Sequence, residues 1–189
     1  MKKNRCGWCL GDQLYETYHD LQWGVPVHDE QELFEMLILE TFQAGLSWIT
    51  VLKKRENFRE AFDFFDYQKI ANYTEDKITQ LLNNPGIIRN KLKVHATINN
   101  ASRFMEIQKE FGSFNTYLWN FVDHTPVQNS WKHYKDAPAT TPLSDQISKD
   151  LKKRGFKFTG STVIYAFMQA IGMVNDHEVS CFRYEEVKG

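Results

Sequence analysis

Hydrophobic residues recur three or four positions apart along most of this chain, which is the spacing of one face of an α-helix. Asp29 is placed to cap a helix with Glu32 reaching back to it, and an apolar stripe begins at Leu33. Gly45 ends or bends that helix, and Ser47 is placed to cap the next one. The pattern therefore predicts two consecutive helices in the first third of the chain.

The same spacing predicts further helices over 75–82, 90–111 and 114–122. A later pair of helices occupies about 143–172, with Thr141 as the first cap and Gly172 at the end. Strand patterns are weak, and no linker rich in proline, glycine or serine divides the chain. We therefore expect an all-α fold and a single domain over residues 1–189.

The composition is that of a folded protein, since 42% of the 189 residues are hydrophobic and 25% are charged. No apolar run is long enough to span a membrane, because Glu35, Glu40 and Gln169 interrupt the candidates. No apolar stretch follows the first basic residues, so we expect no secretory signal and a cytoplasmic location. In that reducing setting, the three cysteines are not expected to form structural disulfides.

Charge is nearly balanced overall, at a formal −1, but it is unevenly distributed. Residues 1–50 carry eight acidic against three basic residues, and 51–189 carry twenty basic against sixteen acidic residues. A protein that coats nucleic acid is usually more basic, so any such contact should be local. The candidate basic clusters are Lys53–Arg55, Arg89–Lys93, and Lys152–Arg154 with Lys157. Each could equally be a solvated helix end.

A six-residue turn bounded by Gly155 and Gly160 separates the later two helices. Glycine at both ends lets the backbone take positive φ and come close to a bulky partner. We expect Phe156 and Phe158 to anchor this hairpin between the helices. The amides of residues 160–162, at the start of the second helix, could then bind a phosphate. The alternative is an ordinary helix-turn-helix packing corner without a ligand.

Cysteine and histidine residues occur near both ends of the chain. His177 and Cys181 are four residues apart, which puts both on one face of a helical turn. The N-terminal segment offers Cys6, Cys9 and His19, and a structural zinc ion needs four such ligands. The spacing leaves open whether Cys6 acts with Cys9 or with His19. Either set would join the two ends of the chain.

A different chemistry is possible for Cys6-Gly7-Trp8-Cys9, which resembles a redox dithiol. Such motifs usually begin a helix within a strand-helix-strand unit, and the predicted elements contain no such unit. The spacing therefore favours zinc binding over redox chemistry.

An acidic residue, Glu40, interrupts an apolar helical stretch, where an unpaired carboxylate costs free energy. Trp48 follows eight residues later, and Trp8, Tyr15 and Tyr18 cluster near the candidate metal ligands. Aromatic faces with one acceptor suit a flat, electron-poor ring that donates hydrogen bonds. The alternative is that the aromatic residues belong to the core and the acid lies on a partly exposed helix face.

Longer segments carry a family resemblance: Arg5–Trp8, Tyr18–Asp20, Trp23–Pro26, Gln43–Arg55, Gly86–Arg89, Leu151–Phe158 and Asn175–His177. With them the chain resembles the DNA-3-methyladenine glycosylase I family, among the helix-hairpin-helix glycosylases, over nearly its whole length. The resemblance implies one structural zinc ion with ligands Cys6, His19, His177 and Cys181. It implies a pocket for the excised base lined by Tyr18, Glu40 and Trp48 and bordered by Trp8 and Tyr15. It also implies that a DNA-gripping hairpin includes Gly155, Lys157, Gly160, Ser161 and Thr162.

The implied activity is hydrolysis of the N-glycosidic bond of 3-methyladenine in double-stranded DNA, by a monomer with Glu40 as the candidate catalytic residue. The Gly45-Leu46 turn is the candidate wedge that fills the gap in the base stack. Many related enzymes carry an aspartate soon after the hairpin, and some carry a nucleophilic lysine there. Here no acid follows Gly160 before Asp176, and Lys157 lies inside the turn, so we expect no strand cleavage. The alternative function is a DNA-damage binding module without catalysis.

Overall fold

The computed structural model describes residues 3–188, in which most of the chain is helical, as the spacing predicts. The α-helices are α1 (Gln13–Leu21), α2 (Glu30–Gln43), α3 (Trp48–Leu52), α4 (Arg55–Ala61), α5 (Tyr67–Ile70), α6 (Glu75–Asn83), α7 (Lys91–Phe111), α8 (Phe114–Trp119), α9 (Pro142–Lys153), α10 (Ser161–Ala170) and α11 (Phe182–Glu186). Short 3-10 turns are formed by Gly7–Cys9, Asn120–Val122 and Tyr134–Asp136, and a left-handed turn by Asp63–Phe65.

Helix α2 forms the centre of the molecule. Every residue from Leu33 to Phe42 is buried, because α10, α3, α7 and α8 pack around it. Asp29 caps the helix by accepting a hydrogen bond from the Glu32 amide at 2.9 Å, as predicted. The predicted return bond from the Glu32 side chain is not formed. Ser47 also differs from expectation, since its hydroxyl pairs with the Thr50 hydroxyl rather than with a helix amide.

The predicted later helices form with small changes at their ends. Asn90 caps α7 by accepting from the Lys93 amide at 3.1 Å. The segment 114–122 is α-helical only as far as Trp119, after which it tightens into a 3-10 turn. Thr141 caps α9 with Pro142 in the first turn, which suits proline because a first-turn amide needs no partner inside the helix.

Two strands of two residues each were not predicted. Val127 and Gln128 form β1, which pairs in parallel with Val174 and Asn175 of β2. A ladder of this length has no periodicity that a sequence could display. The pair fixes the segment that leads to His177 against the segment that follows α8.

Helix α9, a hairpin and helix α10 pack together, as expected from the two glycines. Gly155 does take a positive φ, of +90°, but Gly160 has φ −64° and starts α10 in ordinary extended backbone. The positive φ falls on Phe158 instead, at +58°. Phe156 is buried in the core as expected, whereas Phe158 is 37% exposed and does not anchor the hairpin.

Asparagine side chains of α7 fix the hairpin in place. Asn99 donates to the Gly155 carbonyl at 2.9 Å, and Asn100 bonds both the carbonyl and the amide of Lys157, at 3.0 and 2.8 Å. Ser148 of α9 donates to the Thr159 carbonyl at 2.6 Å. The turn is therefore a rigid feature of the surface.

Among residues 3–188, no helix combines the length and the apolar content needed to cross a bilayer.

Candidate active site and metal-ligand cluster

A cleft of about 230 Å³ opens where α1, α2, α3 and α10 meet. The five residues expected at a base pocket all line it: Trp8, Tyr15, Tyr18, Glu40 and Trp48. Further lining residues that the sequence reasoning did not assign to it are Trp23, Gln43, Tyr134, Ala137, Ala166, Gln169 and Asp176.

Aromatic rings form one wall of the cleft through edge-to-face contacts. Trp8 lies 4.8 Å from Tyr15 and 4.9 Å from Trp23, measured between ring centroids. Tyr18 and Trp48 lie 5.5 Å apart and are tilted by 47°. A flat ring stacked between two others needs about 7 Å, twice the optimal carbon separation. A flat ring therefore does not fit between Tyr18 and Trp48 in this arrangement.

Glu40 is 3% exposed and receives no hydrogen bond from the residues that the structure describes. Its Oε2 atom is fully buried, and burial raises the pKa of this carboxyl from its usual 4.5 to about 8. The Nε1 atom of Trp48 is likewise buried without a well-formed hydrogen bond, and the Tyr18 hydroxyl is the polar group that lies close to it. Burial also raises the pKa of Tyr15 to about 12 and that of Tyr18 well above its usual range, so both phenols stay protonated. The cleft thus holds an acceptor without a partner and a donor without a well-formed hydrogen bond among the described residues.

Asp176 is the other carboxylate of the cleft, and it has many partners. It accepts hydrogen bonds from the side chains of Asn129, Trp131, Tyr165 and Gln169, at 2.6 to 2.8 Å. The signal in the sequence is the segment Asn175–His177, which the zinc interpretation explained through His177 alone. Asp176 connects the metal-ligand cluster to the cleft.

Four buried side chains from the two ends of the chain converge beside the cleft. Ligand atoms of Cys6, His19, His177 and Cys181 lie within 4.8 Å of one another. The Sγ of Cys6 is 3.5 Å from Nδ1 of His177, and the Sγ of Cys181 is 3.4 Å from Nε2 of His19 and 3.7 Å from Nδ1 of His177. Bond lengths of 2.3 and 2.05 Å about a tetrahedral zinc ion give a sulfur-to-nitrogen edge of about 3.6 Å. The geometry fits one such ion.

The remaining nitrogen of each histidine has its own partner, as is usual for metal ligands. Nδ1 of His19 bonds Asp20 at 2.9 Å, and Nε2 of His177 bonds the Trp23 carbonyl at 3.1 Å. These bonds orient the free nitrogens of both rings towards the two sulfurs. Glycine at position 24 lets the His177 ring pack against the backbone, because a Cβ there would lie 2.9 Å from Nε2 of His177.

Cys9 lies outside the cluster. Its thiol donates to the Cys6 carbonyl at 3.2 Å, and burial raises the pKa of Cys9 to about 12. A protonated, fully buried thiol is a poor nucleophile, so the redox interpretation of Cys6-Gly7-Trp8-Cys9 is not supported. Between the two N-terminal alternatives, the structure places His19, and not Cys9, with Cys6.

The hairpin presents unpaired amides beside the cleft. The N–H groups of Gly160, Ser161 and Thr162 make no hydrogen bond within residues 3–188, and a Cβ at Gly160 would meet nothing within 4 Å. Leu46 is 43% exposed and shares a small void with Thr162 and Val163. The candidate wedge and the candidate phosphate site are therefore neighbours.

About half of the cationic residues in the predicted basic clusters are committed to structural contacts. Lys53 and Arg154 form ion pairs, and Arg55 is buried against a carboxylate. Lys93 is buried and caps the end of α2, with its Nζ 2.8 and 2.7 Å from the carbonyls of Phe42 and Ala44. Within the described residues, the exposed members of these clusters without ion pairs are Arg89, Lys91, Lys152, Lys153 and Lys157.

Comparison with known proteins gives consistent results. A profile of the family described as methyladenine glycosylase matches residues 8–184. The chain is 49% identical to DNA-3-methyladenine glycosylase 1 of Escherichia coli (strain K12), over 95% of this chain and 96% of that protein. It is 46% identical to DNA-3-methyladenine glycosylase of Haemophilus influenzae, over 94% and 96%.

Solved structures agree with these relatives. A crystal structure of 3-methyladenine DNA glycosylase I superimposes with a TM-score of 0.92 at 50% identity, covering 95% of this chain and 98% of that one. A tyrosine-to-phenylalanine variant in complex with 3-methyladenine gives a TM-score of 0.91 at 37% identity, covering 95% and 96%. By sequence over nearly its whole length and by fold, the chain belongs to the methyladenine glycosylase family.

Proposed function

We propose that this chain is a base-excision repair enzyme that hydrolyses the N-glycosidic bond of 3-methyladenine in alkylated DNA. The observation that carries the proposal is Glu40, a buried carboxylate without a protein partner in an aromatic cleft. A relative has been solved in complex with 3-methyladenine. The cleft, the hairpin and the Cys/His cluster are all built from one chain, so we propose a monomer acting on double-stranded DNA.

The chemistry of the substrate explains why so few catalytic groups are needed. Methylation at N3 gives the adenine in DNA a positive charge, which weakens its glycosidic bond and makes the base a good leaving group. The flipped base would lie against the wall that includes Trp48 and Tyr18, where cation–π attraction favours a charged ring. Glu40 accepts hydrogen bonds from the base, and the positive charge favours its ionised form. Neutral adenine gains less from this environment.

DNA binding is proposed for the hairpin and the loop after α2. The unpaired amides of residues 160–162 suit a phosphate, with Lys157 supplying charge nearby. Leu46 is the proposed wedge because it is exposed beside those amides. Phosphate contacts and the wedge would offset the cost of base flipping, a few kcal/mol.

We also propose that the enzyme does not cleave the strand. The residues that line the cleft include no lysine among those described, and Lys157 faces a separate groove with Phe158 and Leu92. A lyase needs an amine that attacks the sugar and forms a Schiff base. Borohydride should therefore trap no covalent complex between enzyme and alkylated DNA, and a trapped complex would refute this part.

One structural zinc ion is proposed for the cluster of Cys6, His19, His177 and Cys181. Two sulfurs and two nitrogens at tetrahedral separations are the donor set of structural zinc sites. When bound, zinc supplies stability by joining the chain ends, and the turn that begins after Cys6 carries Trp8 into the cleft. The purified protein should contain about one zinc ion per chain, and Cys181→Ser should lose it whereas Cys9→Ser should retain it. Equal retention in both variants would contradict the assignment.

Chromatography of bases released from methylated duplex DNA tests the central proposal. We expect free 3-methyladenine from the wild type and a large loss with Trp48→Ala, which removes aromatic surface from the wall. A binding module without catalysis would retain the lesion on DNA and release no base.

A further inference from the structure

Gln169 is a cleft residue whose orientation the protein controls. It lies on α10, is half-buried, and donates from Nε2 to Oδ2 of Asp176 at 2.8 Å. The same carboxylate oxygen also accepts from the Tyr165 hydroxyl at 2.6 Å. Asp176 is thus held by several donors and in turn holds the amide of Gln169.

This contact determines which end of the amide is available to a ligand. A carboxylate with donors on both oxygens acts only as an acceptor, so the NH₂ group of Gln169 must face Asp176. Oε1 of Gln169 therefore points away from it. No donor within residues 3–188 contacts Oε1, and the atom is not buried. The cleft gains an acceptor fixed in direction and open to a ligand.

Glu40 is an unpartnered acceptor of the same cleft, on the adjoining helix α2. Ala166, one turn before Gln169, also lines the cleft, and its small side chain leaves α10 accessible. The two acceptors thus belong to neighbouring helices. A ligand that donates two hydrogens from one group could satisfy both.

We propose that Gln169 is a specificity-determining residue, whose Oε1 accepts a hydrogen bond from the exocyclic amino group of the flipped purine. The inference rests on the proposed glycosylase function and adds a reason for selectivity. Adenine carries an amino donor at position 6, where guanine carries a carbonyl acceptor. Two acceptors facing that position favour an adenine lesion and leave a guanine lesion with unpaired, mutually repelling oxygens.

The test measures release of 3-methyladenine and 3-methylguanine from the same methylated duplex DNA. Gln169→Met keeps the length of the side chain and removes its acceptor. We expect kcat/KM for 3-methyladenine to fall about tenfold, the effect of one lost hydrogen bond, while that for 3-methylguanine stays constant or rises. The ratio of kcat/KM for 3-methyladenine to kcat/KM for 3-methylguanine then falls by about tenfold or more.

Gln43→Met is the matched control, because Gln43 also lines the cleft but has no carboxylate partner among the described residues. It should change both rates alike and preserve the ratio. A wild-type ratio retained by Gln169→Met would overturn the inference. So would equal release of the two bases by the wild type, a measurement that requires no variant. Failure of the wild type to release either base would instead refute the proposed function.

Discussion

Two carboxylates are buried five residues apart on α2, and their surroundings are opposite. Glu35, 7% exposed, accepts from Arg55 and from Arg59, whose Nε lies 3.0 Å from Oε1. Glu40, 3% exposed, has no donor among the described residues. A buried carboxylate with cationic partners can be part of the scaffold, whereas burial holds a carboxylate without partners in its neutral form until something else compensates its charge. We infer that Glu35 serves the fold and Glu40 serves the ligand.

Among the substitutions, the largest expected loss of stability is that of Glu35→Gln. Removing this charge leaves Arg55 buried without its carboxylate, which should lower the free energy of unfolding by about 3 kcal/mol. Glycosylase activity below the melting temperature should stay near the wild-type value. Chemical denaturation and base release measured on the same preparation check both. A stable but inactive variant would contradict the separation of the two acids.

Glu40→Gln should have the opposite effect. We expect kcat/KM for release of 3-methyladenine to fall about 100-fold or more, the scale for losing a preorganised electrostatic contact. The free energy of unfolding should be unchanged or higher, because no protein partner is lost. Release at the wild-type rate would remove Glu40 from the mechanism.

A pH-dependent effect on stability separates the wild type from Glu40→Gln. Because burial raises the pKa of Glu40 to about 8, the native state keeps a proton that the unfolded chain has lost above its usual 4.5. Wild-type stability should therefore fall as pH rises from about 5 to 8, by up to about 1.4 kcal/mol per unit, relative to Glu40→Gln. Urea unfolding of both proteins across this range measures the difference. If the free energies of unfolding of the two proteins changed in parallel with pH, the pKa of Glu40 would not be raised.

Two tryptophans differ in the same way, since the indole N–H of one makes a well-formed hydrogen bond within the described residues and that of the other does not. Nε1 of Trp119 donates to the Val27 carbonyl at 3.0 Å, whereas Nε1 of Trp48 makes no well-formed hydrogen bond within residues 3–188. Trp119→Phe should lower the free energy of unfolding by about 1 kcal/mol or more, since that carbonyl loses its donor. Trp48→Phe should reduce activity up to about tenfold with little change in stability. Melting temperatures and base release distinguish the two variants. A stable, less active Trp119→Phe together with an unstable, active Trp48→Phe would contradict these roles.

The sequence was most informative where a feature repeats or stands out locally. Helical spacing located α2, α7 and α9 because each buries a long apolar stripe. Glu40 was identifiable because an acid inside such a stripe is conspicuous. Spacing alone left open which N-terminal residue joins Cys6 in the Cys/His cluster, because the choice of His19 over Cys9 depends on where the chain turns after Cys6.

Other features depend on the tertiary fold and left no local signal. Gln169 and Asp176 meet only because the chain reverses after α10. Phe158 was expected to anchor the hairpin, but its side chain is exposed because Asn99 and Asn100 hold the turn through its backbone. The contacts that occupy Lys93 and Arg154 also depend on the tertiary fold, whereas Lys152, Lys153 and Lys157 stay exposed as the sequence indicates.

Direct titration of Glu40 tests whether this buried carboxyl group is left without a hydrogen-bond partner among the described residues so that a bound base can become its partner. The measurement is the chemical shift of its labelled side-chain carboxyl carbon against pH, with and without 3-methyladenine. We expect a midpoint near 8 in the free protein, because burial raises the pKa of Glu40. We expect a lower midpoint with the base, whose amino group favours the ionised form of the carboxyl. A midpoint near the usual 4.5 that the base does not move would contradict both expectations.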